Sequence, residues 1–270
     1  MHKLGCFLLG TCGLYALEES PWLNDVYAFS SKTLVSYDQY RTVQGALVQP
    51  EQMNRDYVTM FSMMMTPTET IECEGELELA RTPRQTYGFR SFAAAARLSF
   101  LDDIAGDIVS LVAGINLRSV TGRAVRDISS PYAAYFNGEL TCSLGKEFST
   151  KEGDWTTRGY CLGTLGLGNQ GSLWDRLNVV FEGKFFKHHI IQVFSLGYFG
   201  YGSGQKIHID DFHGWGAVSH SSIDMGLQYR YHFSLWGDLG VSYAYRIYAR
   251  LYPEHVQTCV FSYILPFSFF

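Results

Sequence analysis

Nowhere in this 270-residue chain do two Lys or Arg residues stand side by side, and 21 Lys+Arg against 26 Asp+Glu leave a net charge of −5. That balance lacks the basic stripe that nucleic-acid binding requires. Charged residues make up only 17%, below the roughly 25% of ordinary soluble domains. No run reaches the roughly 18 to 20 apolar residues of a spanning helix; the best, Ile104–Ile115, is cut by Asp107 and holds two glycines. No CxxC pair or His/Cys cluster has zinc spacing, so no metal or cofactor is expected. What the chain does have is 5 Trp, 18 Tyr and 19 Phe, 16% of all residues, with 27 Gly and 7 Pro. Such apolar content excludes disorder.

The N-terminus opens on His2-Lys3, continues with an apolar run from Leu4 to Leu14, and reaches Ala16 just before Glu18-Glu19. A basic start, an apolar segment and a small residue at the cut make a secretory signal peptide. Cleavage is expected after Ala16, with Gly13 as the other candidate, so residues 1–16 are read as the signal. Thr11 before Cys12 is a poor lipoprotein acceptor. An exported chain without a spanning helix is either soluble or crosses a membrane as a closed β-barrel.

Period-two alternation runs through the rest. Ile71, Cys73, Leu77 and Leu79 interleave with Glu72, Glu74, Glu76 and Glu78. The even positions from Asp224 to His232 are mostly polar against apolar odd ones, and Cys259 through Phe269 again share one apolar face. This is the pattern of strands with one apolar and one polar side. Breaks at Arg81–Arg84, Thr121–Pro131, Lys146–Trp155, Asn169–Asp175, Tyr201–Gly216, Trp236–Asp238 and Tyr252–Glu254 divide eleven strands. The first of these lies at Tyr57–Thr66, and a twelfth lies within Asp25–Val48, where the pattern is poor. Residues 17–56 are therefore a weakly patterned leading segment, either periplasmic or plugging, and 57–270 the barrel proper. The predicted fold is all-β: a closed antiparallel transmembrane barrel of about 12 strands, with short turns at one end and longer loops at the other. All five Trp (22, 155, 174, 215, 236) fall in or beside connections, where an interfacial aromatic belt would place them.

The alternating aromatic last strand, ending Phe269-Phe270, resembles that of the Gram-negative outer-membrane β-barrel superfamily. The resemblance extends over the mature chain in architecture and names no subfamily. It implies outer-membrane lipids as surroundings and recognition of the last strand by the barrel-assembly machinery. Pro266 and the register of Phe270 depart from the usual pattern.

With apolar faces toward lipid, the lumen receives Glu72, Glu74, Glu76, Glu78, Glu139, Glu182 and Asp224, and against them Arg118, Arg158, Lys184, Arg230, His232, Arg246 and Arg250. Two readings follow: a lumen filled by crossing ion pairs, or a narrow pore whose Glu and Arg rows face each other and select solutes by charge. Cys73, Cys142, Cys161 and Cys259 lie on apolar faces, as small apolar fillers rather than disulfides. His220 and Ser222 have the His-x-Ser spacing of outer-membrane phospholipases and deacylases, but Ile223 replaces the following Asn and both positions face the lumen. Asp211-x-His213 is similar to half of the omptin protease site, with only Asp102-Asp103 to offer as an acidic couple. The functional expectation is a passive solute channel or structural surface protein. A lipid hydrolase is the alternative, with an autotransporter translocator domain and a soluble secreted β-protein behind it. Oligomeric state is left open.

Overall fold

A computed structural model describes residues 20–149, 155–233 and 236–267. The signal-peptide reading, the Phe269-Phe270 terminus and the side chain of Trp155 lie outside the described residues.

Among the described residues fourteen strands occur in chain order: β1 Phe29–Tyr40, β2 Thr42–Val43, β3 Asn54–Thr68, β4 Ile71–Arg81, β5 Gly88–Leu101, β6 Ser110–Val120, β7 Phe136–Ser149, β8 Trp155–Gly168, β9 Trp174–Phe185, β10 His189–Gly200, β11 Ser221–Phe233, β12 Gly237–Arg250, β13 Pro253–Glu254 and β14 Gln257–Phe267. Twelve of them close into one antiparallel barrel, in which β1 pairs with both β3 and β14. The two-residue β2 and β13 pair with each other above the barrel. The strand expected within Asp25–Val48 is β1. The break placed at Lys146–Trp155 is narrower than expected, because β7 continues through Ser149 and β8 begins at Trp155.

The two faces of the wall follow the two-residue period. On the outside, exposed apolar side chains form rows across neighbouring strands. Phe261 sits between Val35 and Val241, Val193 between Phe181 and Leu227, and Leu140 between Ile115 and Leu165. All twelve barrel strands carry at least one such exposed large apolar residue. Soluble monomers rarely expose contiguous apolar patches beyond a few hundred square ångströms, so a surrounding apolar band is the mark of a wall solvated by lipid. The alternate residues point inward and carry the charges.

Connections alternate in kind. At one end lie the turns at 69–70, 102–109 and 186–188; at the other lie the loops 41–53, 121–135 and 201–220. The longer loops fold over their own mouth. Tyr40, Val43, Ile128, Ile207, Phe212, Trp215, Leu251 and Tyr252 pack there into the largest apolar cluster of the described residues. A short helix, α1 Gly122–Val125, is capped by Thr121 Oγ1, which accepts from the Ala124 amide. It seats Val125 and Tyr132 beneath this cap.

The cap corrects the expectation for tryptophan. Trp215 and Trp174 are buried inside the mouth rather than set in a lipid-facing belt. Trp22 also points inward. Among the described tryptophan side chains Trp236 is the exposed one, and most of the exposed aromatic residues near the two rims are Tyr and Phe, such as Tyr57, Tyr87, Phe148 and Phe185.

Candidate functional site

The interior is divided into three levels by what the inward residues are. Nearest the long loops is the apolar cap. In its centre the His220 ring stacks on Tyr252 (centroids 5.0 Å apart, 14° between planes) and lies 5.2 Å from Trp215 and 4.9 Å from Tyr198. His220 Nδ1 contacts the Val218 carbonyl oxygen at 3.0 Å. Burial pushes the imidazole pKa down from its usual 6.5 to about 4; the Val218 carbonyl opposes this and the Arg246 charge adds to it. Gly200 makes room for the ring, since a Cβ there would lie 2.2 Å from His220 Cε1.

The middle level is a charged wall over β4–β7, and its order comes from strand register. Glu76, Ala93 and Arg118 occupy one cross-strand row on β4, β5 and β6. The small Ala93 side chain lets Arg118 reach over β5 to form a fully buried ion pair with Glu76. One row toward the turns, Glu74, Ala95, Asn116 and Glu139 line up, with Asn116 Nδ2 donating to Glu139 at 3.0 Å. Glu72 and Arg97 are direct cross-strand partners, with Nε donating at 2.9 Å. Glu78 accepts from Ser91 Oγ at 2.6 Å and from the Tyr132 hydroxyl, and Arg90 lies 3.4 Å away. Tyr132 belongs to the 121–135 loop, so this network ties the cap to the wall. Opposite, Arg246 holds Asp224 bidentately at 2.7 and 3.0 Å and donates to the Pro253 carbonyl at 3.1 Å.

The third level, at the short-turn end, is a cavity of ≈ 480 Å³. Arg230 pairs with Glu182 at 2.7 Å and lies 3.9 Å from Asp238, and His232 Nδ1 contacts Asp238 at 2.6 Å. Lys32, Gln192, Gln228, Phe194 and Val260 complete much of the wall. The chain leading into β1 crosses this opening. Trp22 Nε1 donates to Asp103 at 2.9 Å, and its ring lies under Arg158 (4.9 Å) and edge-on to Tyr160 (5.8 Å). Asn24 donates to Glu72 and Arg97 to the Ser20 carbonyl. Arg158 also holds Glu147 at 2.7 Å.

Of the charges read from sequence as luminal, Glu72, Glu74, Glu76, Glu78, Arg118, Glu139, Glu182, Asp224 and Arg246 are buried inside the wall. Arg158, Lys184, Arg230 and His232 occupy inward positions near the cavity end and stay partly accessible. Arg250 is exposed at the long-loop rim. Sequence reading passed over Arg90, Arg97, Asp38 and Asp56. The Ala93–Ala96 run offers no contrast between faces, and a bulge at Glu78/Leu79 turns both Arg90 and Ser91 inward.

His220 and Ser222 are both buried, no hydrogen bond joins them, and His220 Nε2 and Ser222 Oγ have no partner among the described residues. Asp211 and His213 lie in the 201–220 loop, while Asp102-Asp103 lie at the opposite end of the barrel. Among the described residues no group of three or more His, Cys, Asp or Glu could hold a metal ion. Cys73, Cys142, Cys161 and Cys259 are free thiols on outward positions.

No protein-family model and no curated protein matches the sequence. Solved structures do match in fold. The COG4313 outer membrane channel of Pseudomonas putida F1 superposes with a TM-score of 0.70 at 10% identity, covering 94% of this chain and all of that one. The NanC porin gives 0.54 at 8% identity over 86% of this chain and 98% of that chain. The KdgM porin gives 0.51 at 10% over 88% and 99%. The fold is thus that of Gram-negative outer-membrane β-barrels.

Proposed function

We propose that this chain is an outer-membrane channel, captured with its outer mouth closed. The observation that carries the reading is the contrast between the two surfaces of one wall. Outside is an apolar band; inside is a polar, charge-bearing lumen that widens to a ≈ 480 Å³ cavity at the short-turn end. A scaffold with no traffic has no need of accessible Lys32, Arg158, Arg230 and His232 at its inner vestibule. Their mixture with Glu182 and Asp238 favours small polar solutes of either sign over a strict charge filter. Export by the N-terminal signal, and insertion by the assembly machinery through the last strand, belong to the same proposal.

A lipid hydrolase is the weaker reading. A nucleophile must lie within hydrogen-bond reach of its base, and His220 here is spent on the cap.

Planar-bilayer recording separates an open lumen from a plugged one. The wild type is expected to conduct rarely and in small steps, whereas Trp215→Ala, which empties the centre of the cap, raises the open time severalfold. Silence from both proteins, with insertion verified by a heat-dependent shift in gel mobility, would reduce the barrel to a structural scaffold.

A further inference from the structure

Three neighbouring strands carry the same outward gradient toward the long-loop rim. On β3 the outward residues run Phe61, Thr59, Tyr57, Arg55; on β4 they run Leu77, Leu79, Arg81; on β1, Val35 and Tyr37 lead to Gln39, and Arg41 follows the strand end. Register brings these ladders together. Tyr57 stands directly opposite both Tyr37 and Arg81, and Arg55 opposite Gln39. The Tyr37 and Tyr57 rings meet at 5.0 Å. Arg55 and Arg81 are therefore diagonal neighbours, a spacing of about 7 to 8 Å between backbones that long side chains readily close.

Arg41, Arg55 and Arg81 are exposed, and none has a carboxylate in ion-pair range among the described residues. Glu51 lines the same outer groove as Arg55 without pairing to it. Arg84, further out, is already engaged by Asp210 and the Ile209 carbonyl. Guanidinium groups match phosphate in geometry and hold it bidentately. Cations just beyond an aromatic rim lie at headgroup depth.

We propose that this outer rim of β1, β3 and β4 is a binding site for a phosphate-bearing glycolipid of the outer leaflet. Arg55 and Arg81 grip its phosphate, Arg41 adds charge, the two tyrosines border the sugar, and the acyl chains lie along Val35, Phe61 and Leu77. Charge complementarity and continuity with the lipid-facing band select this occupant. The inference rests on the outer-membrane placement proposed above.

The test is retention of added diphosphoryl lipid A by the full barrel in detergent, read by native mass spectrometry, with phosphatidylethanolamine as the zwitterionic comparison. The triple variant Arg41→Gln/Arg55→Gln/Arg81→Gln is compared with Arg123→Gln/Arg126→Gln/Lys206→Gln, which removes three exposed cations from the loops. Each basic residue near a charged membrane surface contributes enough that losing three should weaken retention at least about tenfold. The loop variant should match the wild type, and phosphatidylethanolamine should distinguish none of the three. Equal retention by the rim variant overturns the site, as does equal loss in the loop variant or undiminished binding of dephosphorylated lipid A. A barrel that fails to enter lipid vesicles at all refutes the membrane placement and the site with it; normal insertion with unchanged retention refutes the site alone.

Discussion

Arg118 reaches across an entire strand to Glu76, and both side chains of the pair are fully buried. The pairing exists because Ala93, between them in the same row, is too small to block it. Facing neither the cavity nor water, the pair closes the wall instead of filtering solutes.

Removing one partner leaves the other charge uncompensated in a dry site. Glu76→Gln is accordingly expected to destabilise the barrel by about 3 kcal/mol or more, seen as a lower temperature for the heat-dependent gel shift. Ion selectivity of whatever conductance remains should not change. The double variant Glu76→Leu/Arg118→Met should recover most of the stability, because it removes both charges at similar volume. A selectivity change in Glu76→Gln without loss of stability would contradict this account.

The closed mouth depends on backbone approach at Gly200. A methyl group there would overlap the His220 ring at 2.2 Å, and the ring is wedged among Tyr252, Trp215 and Tyr198. Gly200→Ala should loosen the cap at a cost of about 1 to 3 kcal/mol, measured as faster proteolytic cleavage within the 201–220 loop. Gly75→Ala, where a Cβ meets nothing within 4 Å, serves as the neutral comparison.

His220 also makes the cap sensitive to acid. Its pKa is about 4 when closed and about 6.5 when free, so between those values the opened form binds a proton that the closed form refuses. Cap stability from this group is full above pH 6.5 and falls as the pH drops through that window, by up to about 3 kcal/mol. Channel opening in bilayers should therefore increase from pH 7 to pH 4.5 in the wild type. In His220→Phe, which keeps the stacked ring and removes the titration, the rise should flatten; identical profiles would assign the effect elsewhere.

The free thiols report which face meets lipid. Cys142 is exposed on the outer wall and Cys73, Cys161 and Cys259 partly so. In the membrane-inserted protein a bilayer-soluble maleimide should label Cys142 well before a charged, water-borne thiol reagent does. Labelling in the reverse order would place that wall in water.

Strand architecture was legible along the chain, because a two-residue period is imposed by the pleat and does not depend on which strands later become neighbours. Glu72 to Glu78 could be placed on one face before any partner was known. The sequence also indicated which end carries the longer loops. The poorly patterned start of β1 and the Ala93–Ala96 run were harder to read, since periodicity needs contrast and neither segment offers much.

What those inward residues do depends on contacts between distant parts of the chain. Glu76 and Arg118 lie 42 residues apart, and their meeting depends on register across β5, including the bulge that turns Arg90 inward. Trp215 and Trp174 sit beside loops, and sequence position could not reveal that those loops fold into the mouth. Burial of a loop side chain depends on where the rest of the chain closes over it, and local pattern does not carry that information.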